Sequence, residues 1–92
     1  MNYALRRDVA EATIVEALRI IGCIVVRHHG RGEPDLFVCR NGDWYAIEVK
    51  GDKGKLNEEQ VKFRARVRSQ GSEVHTVRSA EEALRVVRGC SR

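Results

Sequence analysis

Hydrophobic and polar positions in the first quarter of the chain alternate with the period of a helix. The pattern predicts an amphipathic helix over about 9–21, ended by Gly22. Asp8, followed three residues later by Glu11, resembles a capping box at the start of this helix. The apolar face consists of Ala10, Ile14, Ala17, Leu18 and Ile21.

Three apolar runs follow and predict strands. The first covers about 23–28, and the next two, about 35–39 and 44–50, flank the dipeptide Asn41-Gly42. Asn-Gly between two such runs is a strong hairpin signal, because both central residues of a type I′ turn need positive φ. We therefore expect the second and third strands to form an antiparallel hairpin.

Residues 57–70 carry conflicting signals. Apolar and basic residues alternate strictly from Val61 to Arg68, which is typical of a strand. However, Asn57 and Gln60 have the spacing of a capping box, a glycine follows the segment, and the run is long for a strand in so small a domain. We therefore predict a helix.

The remaining pattern predicts a short strand over 74–77 and a last helix over about 80–88. Ser79 and Glu82 have the spacing that caps this helix, and Gly89 would end it. The predicted element order is α-β-β-β-α-β-α. With 92 residues the chain has room for one modest core, so we expect a single stand-alone domain over 1–92.

Charge adds a first indication of a partner. The net charge is +4, the isoelectric point is near 9.3, and thirteen of the seventeen lysines and arginines are arginine. The planar guanidinium donates paired hydrogen bonds to phosphate, so a nucleic-acid partner is favoured weakly. Because so small a domain gains stability from an interface, we also expect a homodimer.

The cysteines and the hydropathy indicate a compartment. Cys23, Cys39 and Cys90 are odd in number and widely spaced, which argues against a disulfide framework or a zinc ribbon. No apolar run approaches about eighteen residues, and no signal peptide is recognisable. We expect a cytoplasmic protein, or one in the host cytoplasm if a phage encodes it; a domain this short suits a phage or prophage.

Candidate chemistry lies at the ends of the hairpin. The hairpin folds Asp35 back towards Glu48, and strand alternation places Glu48 and Lys50 on the face opposite Ile47. Val49, between them, can offer its backbone carbonyl to a cation. Two carboxylates and a carbonyl form an oxygen-only ligand set, which suits Mg²⁺ or Mn²⁺ rather than zinc.

The helices offer further candidates. Glu11 falls inside the apolar arc of the first helix whereas Glu16 falls outside it, so Glu11 is the better third acid. Its alternative role is that of a capping-box carboxylate. Gln60 and Arg64 lie one turn apart on the helix predicted over 57–70, and both would point inward, towards the strands.

Three motifs resemble those of a known family. They are Gly32-x-Pro34-Asp35, Ile47-Glu48-Val49-Lys50 and Gly54-Lys55-Leu56-x-x-x-Gln60. In this order and spacing they resemble the virus-type replication-repair nuclease (VRR-NUC) domain of the PD-(D/E)XK nuclease superfamily. The resemblance covers essentially the whole chain, including the Val-Arg-Ser before the last helix. Glu11 also has the position of a helix glutamate in archaeal Holliday-junction resolvases.

The resemblance implies an α/β, restriction-endonuclease-like fold, with a mixed central sheet flanked by helices, and metal-dependent phosphodiester hydrolysis. Asp35 and Glu48 would be metal ligands, and Lys50 would orient the attacking water or stabilise the pentavalent phosphate. Gln60 would support the site, and Glu11 would complete it, with Asp8 as the alternative acid.

The resemblance also implies a homodimer that cuts four-way DNA junctions with Mg²⁺ or Mn²⁺. Residues 51–56 lack the spacing of a phosphate-binding loop, so we expect no nucleotide cofactor, and the lack of a long apolar run argues against a membrane partner. A flap or restriction-type endonuclease and a non-catalytic DNA-binding module are the alternatives. Further residues could contact DNA or belong to a solvated surface, and residues 51–55 are expected to form a polar, flexible loop. These candidates are Arg27, His28, Lys53, Lys55 and Arg64.

Overall fold

The computed structural model describes residues 7–89 and confirms the predicted element order. Most of the predicted boundaries are correct to within one or two residues. The elements are α1 (Arg7–Ile20), β1 (Ile24–Arg27), β2 (Leu36–Arg40), β3 (Asp43–Val49), α2 (Glu58–Ser69), β4 (Val74–Val77) and α3 (Ala80–Val87).

The four strands form one mixed sheet in the order β1-β2-β3-β4. The first three strands are antiparallel neighbours, and β4 runs parallel to β3, so α2 serves as the crossover between them. Asn41 and Gly42 form the predicted turn, with φ values of 51° and 86°. Leu36 pairs with Ile47, which brings Asp35 and Glu48 to the same end of the hairpin.

The two sides of the sheet differ. Helices α1 and α3 pack together against one side, where the strands contribute fully buried side chains such as Leu36, Ile47 and Val77. Burying each such side chain contributes about 1.5–3 kcal/mol. On the other side Ile24 and Trp44 are largely exposed.

The helix α1 buries Ala10, Ile14 and Leu18, as its periodicity predicts. The predicted capping box at its start is wrong, because Asp8 lies inside the first turn of the helix rather than before it. Glu11 is therefore not a capping-box carboxylate, and its contacts belong to the site described below.

The helix α2 confirms the prediction made for the ambiguous segment. Asn57 and Gln60 make both hydrogen bonds of a capping box. No residue of α2 is buried, which explains why its sequence lacks a clear helical stripe of apolar residues. Its identity as a helix is encoded by its cap and its stop rather than by its hydrophobic pattern.

Cys23 is a buried core residue with a free thiol, and burial raises its pKa. Cys39 is also free and half-buried. Cys90 lies outside the described residues. Within residues 7–89, no helix combines the length and the apolar character needed to cross a bilayer.

Candidate active site

The turn before β2 places Asp35. Gly32 has a φ of 75°, and a Cβ at this position would lie 3.0 Å from Cβ of Glu59, so only glycine lets the turn pass α2 without strain. Pro34 is fully buried beneath the turn. The Asp35 carboxylate then accepts a hydrogen bond at Oδ2 from the Val49 N–H, at 2.8 Å, and is held against the end of β3.

Glu48 is buried although it lies on the face opposite Ile47, as strand alternation predicts; only 3% of it is exposed. The Gln60 amide donates to Glu48 Oε2 at 2.7 Å, and the Lys50 ammonium lies 3.6 Å from the same oxygen. Burial, and then the negative charge of Asp35, raise the pKa of Glu48 to about 7.

The proximity of Asp35 and Glu48 bears on whether this site fits a metal ion. Two carboxyl groups this close resist ionising together, unless a proton or a cation lies between them. Both are oxygen donors of the kind that Mg²⁺ and Mn²⁺ prefer. The residues present therefore fit a hard divalent cation. The Val49 carbonyl as a third donor stays a prediction.

Gln60 connects the start of α2 to the site. Its Oε1 accepts hydrogen bonds from the Asn57 N–H and from the Lys50 ammonium, each at 2.9 Å, while its amide nitrogen donates to Glu48. The inward direction predicted for Gln60 is confirmed. The Gln60 side chain thus caps α2 and also orients the Lys50 ammonium and the Glu48 carboxyl group.

Both the sequence and the fold of this chain are similar to those of one known domain family. A family model described as the VRR-NUC domain matches residues 5–81, most of the 92-residue chain. The chain belongs to the VRR-NUC domain family. A solved structure of a VRR_NUC domain has a TM-score of 0.74 to this chain at 23% identity, and covers 92% of this chain and 97% of that one. No curated protein gives a significant match.

The VRR-NUC assignment confirms the predicted fold, a mixed sheet flanked by helices, and it implies nuclease-type activity. The motif residues of this VRR-NUC domain converge at one end of the hairpin. Asp35, Glu48, Lys50 and Gln60 are linked there by the hydrogen bonds and charge interactions given above.

Glu11 lies beside this cluster but is joined to it through an arginine. It is largely buried whereas Glu16 is exposed, as predicted. The Arg7 guanidinium donates from Nη1 to Glu11 Oε1 and to Asp35 Oδ1, both at 3.0 Å, and Arg27 pairs with the other Glu11 oxygen at 3.5 Å. Sequence reasoning missed Arg7, although its spacing of four residues from Glu11 is that of a helical ion pair.

The carboxylates of Glu11, Asp35 and Glu48 are not arranged in this structure to bind one metal ion together. Among residues 7–89, no three or more His, Cys, Asp or Glu side chains are placed to share one metal ion. The Arg7 guanidinium lies between Glu11 and Asp35 instead. The role of Glu11 as a third ligand, and that of Asp8 as its alternative, remain predictions.

The five candidates for DNA contact differ in their surroundings. Lys53 and Lys55 are exposed on the loop after Lys50. Arg64 is half-buried and donates to the Thr76 hydroxyl of β4, and burial lowers its pKa.

Two candidates lie near the Asp35 turn. His28 shares a short hydrogen bond with Glu33, and its ring makes a T-shaped contact with the ring of Phe37. Arg27 forms an ion pair with Glu11. The lysines are therefore the least engaged of the five candidates, and DNA contact by any of them stays a prediction.

Proposed function

We propose that the protein is a divalent-metal-dependent, structure-selective DNA endonuclease that acts as a homodimeric Holliday-junction resolvase. The observation that carries the proposal is the cluster of the buried Glu48 with the half-buried Asp35, Lys50 and Gln60. It combines two adjacent carboxylates, one with a strongly raised pKa, and an ammonium held in place by a glutamine. Perturbed acids of this kind concentrate at functional sites.

Asp35, Glu48 and the Val49 carbonyl would hold Mg²⁺ or Mn²⁺. A bound divalent cation supplies positive charge to the reacting phosphate and lowers the pKa of water. The hydrogen bond from the Val49 N–H fixes the Asp35 carboxylate at the end of β3, and the hydrogen bond from Gln60 fixes the Glu48 carboxyl group beside it. These bonds limit the reorganisation that the site needs when a substrate arrives.

Lys50 would act on the phosphate or on the attacking water. Its ammonium is anchored by Gln60 Oε1 at 2.9 Å and is largely buried, so its position is defined before DNA binds. A fixed positive charge where negative charge grows in the transition state is worth more than a mobile one. Lys50 is therefore the cation that the chain itself supplies to the reaction.

Glu11 would complete the site only after Arg7 leaves its position between Glu11 and Asp35. Arg7→Gln should therefore bind Mn²⁺ about fivefold more tightly, the scale of a partly exposed ion pair. Electron paramagnetic resonance of free Mn²⁺ measures this affinity, and Arg31→Gln, which loses only a contact to Glu59, is the control. Equal affinities in all three proteins would exclude competition by Arg7.

A dimer would place two sites against the two strands that a resolvase cuts. Ile24, Val26 and Trp44 are exposed on the same sheet face as Glu48, so a second copy covering them would lie next to the site. Sedimentation tests this: Trp44→Lys should shift the protein towards monomer. Ile20→Lys, which changes a side chain that is 77% exposed on α1, should not. A wild-type monomer would contradict the dimer.

The activity is tested by incubating four-way junction, flap and linear duplex DNA with the protein and Mg²⁺ or Mn²⁺, against an EDTA control. Paired cuts in the junction are expected. Cutting only the flap, or only particular duplex sequences, would favour the alternative nucleases. Binding of junction DNA that is unaffected by metal and by Asp35→Asn, with no cleavage of any substrate, would indicate a non-catalytic module.

A further inference from the structure

The loop that follows Lys50 is fastened, although its sequence predicts a flexible segment. The Arg78 guanidinium donates from Nη1 to the Gly51 carbonyl at 2.5 Å and from Nη2 to the Gly54 carbonyl at 2.7 Å, and it also reaches the Asp52 carbonyl at 3.4 Å. Hydrogen bonds from a charged donor are about twice as strong as neutral ones. One side chain therefore satisfies the backbone acceptors of most of the turn.

Arg78 is itself anchored at the junction of β4 and α3. Its backbone N–H donates to Glu82 Oε1 at 2.6 Å, and the preceding residue, Val77, accepts a hydrogen bond from the Lys50 N–H at 3.0 Å. Val77 is fully buried in the core. The guanidinium thus connects the loop to a rigid part of the sheet rather than to another loop.

The fastened turn packs against the side chain of Lys50. A Cβ added to Gly54 would lie 3.3 Å from Cδ and 3.4 Å from Cβ of Lys50, so the glycine backbone covers the lysine stem closely. The Gly54 N–H also donates to the Gly51 carbonyl at 3.1 Å, which closes the turn. The stem lies against this turn, and the ammonium extends to Gln60.

We propose that Arg78 is a positioning residue for Lys50, acting through the turn 51–54. This proposal rests on the proposed nuclease function, in which Lys50 touches the reacting groups. The planar guanidinium spans the two carbonyls of Gly51 and Gly54 at once, which a single ammonium does less well. Loss of Arg78 releases the turn, and Lys50 then samples positions away from the phosphate.

Cleavage kinetics provide the first test, through a double-mutant cycle. Arg78→Gln should slow single-turnover DNA cleavage about tenfold to a hundredfold, the scale of a small misplacement of a catalytic group. Arg78→Lys should lie between Arg78→Gln and wild type. Because Arg78 acts through Lys50, the double variant Arg78→Gln, Lys50→Met should be as slow as Lys50→Met alone. Multiplied losses would overturn the proposal.

Limited trypsin digestion provides a readout that needs neither DNA nor metal. Release of the turn should speed cleavage after Lys53 and Lys55 about tenfold in Arg78→Gln, since proteolysis follows the population of opened loops. Arg85→Gln, a loss of an exposed arginine on α3, should leave it unchanged. Unchanged protection in both folded Arg78 variants, checked by thermal unfolding, would also overturn the proposal.

The two arms separate failure of this inference from failure of the proposed function. If the wild-type protein cleaves no DNA, the nuclease proposal fails and with it the positioning role. The trypsin experiment still decides whether Arg78 fastens the turn. If DNA is cleaved but the losses multiply, the nuclease proposal stands and only the role of Arg78 is wrong.

Discussion

Two neighbouring residues of β3 are buried to a similar degree on opposite faces of the sheet, but for different reasons. Along β3, Ile47 is 0% exposed against α1 and α3, and its neighbour Glu48 is 3% exposed on the opposite face. Ile47 has only hydrocarbon partners to satisfy. Glu48 depends on Gln60, Lys50 and Asp35, two of which bring it hydrogen bonds or positive charge and one of which repels it.

The two residues therefore contribute differently to the free energy of folding. Burial of Ile47 is favourable by itself, whereas burial of a carboxylate is unfavourable unless it is paired. Among the described residues, no buried side-chain nitrogen or oxygen lacks a hydrogen-bond partner. The polar side-chain atoms buried at the site are therefore hydrogen-bonded, and yet the pKa of Glu48 is raised to about 7. We expect substitutions on the two faces to separate stability from activity.

The largest stability effect should come from the apolar face. Ile47→Ala should lower the free energy of unfolding by about 2–5 kcal/mol, because it removes a buried side chain and leaves a cavity. Urea denaturation measures the change. Ile20→Ala, at an exposed position, should change it by less than about 0.5 kcal/mol. Similar effects at both positions would contradict the core described here.

On the site face, Lys50→Met should reduce DNA cleavage by about a hundredfold or more, since it removes a charge that stabilises the transition state. Cleavage of the preferred DNA under single-turnover conditions is the measurement. Lys62→Met removes an exposed lysine that pairs only with Glu58 in a helical salt bridge, so it should leave the rate nearly unchanged. Equal rates for both variants would remove Lys50 from the mechanism.

Stability should also depend on pH through Glu48. Between its ordinary pKa of 4.5 and about 7, the folded protein keeps a proton on Glu48 that the unfolded chain releases. The free energy of unfolding of the metal-free protein therefore falls as the pH rises through this range, by up to about 3 kcal/mol. Urea denaturation in EDTA at several pH values tests this. Glu48→Gln should lack the decrease, and parallel pH curves for the two proteins would contradict it.

Gln60 contributes both to stability, through the cap of α2, and to the site, through Glu48 and Lys50. Two substitutions can separate these contributions. Gln60→Ala removes a capping-box partner and both site contacts, so it should lower stability by about 1 kcal/mol and also slow cleavage. Gln60→Glu retains a capping residue but places a third carboxylate beside Glu48, so it should slow cleavage with less loss of helix stability. If both variants cleaved DNA as fast as wild type, Gln60 would have only a capping role.

Most of the fold was predictable because local signals agree with the global arrangement. Asn41-Gly42 specifies the hairpin, and the alternation along β3 then places Glu48 and Lys50 on one face and Ile47 on the other. The helix α2 was predictable only from its cap and its stop, because it buries no side chain and so has no apolar stripe. The Asp8 capping box was wrong, since a spacing alone does not fix where a helix begins.

The parts that sequence did not reveal are long-range polar contacts. Arg7 lies between Glu11 and Asp35, and Arg78 spans the carbonyls of the turn 51–54. The chain has thirteen arginines, and although the spacing of Arg7 and Glu11 is a local signal for an ion pair, no local pattern links Arg7 to Asp35 or Arg78 to the turn. Arg7 and Asp35 are 28 residues apart, and Arg78 and Gly54 are 24 residues apart, so only the packed fold brings each of these pairs together.

The central claim is that the buried carboxylate Glu48 serves catalysis rather than stability. The most direct test compares wild type with Glu48→Gln, which keeps the shape and removes the charge. With Mg²⁺ or Mn²⁺, wild type should cleave the four-way junction, whereas Glu48→Gln should not, although it should unfold at pH 7.5 with an equal or larger free energy. Cleavage by Glu48→Gln at the wild-type rate would contradict the claim.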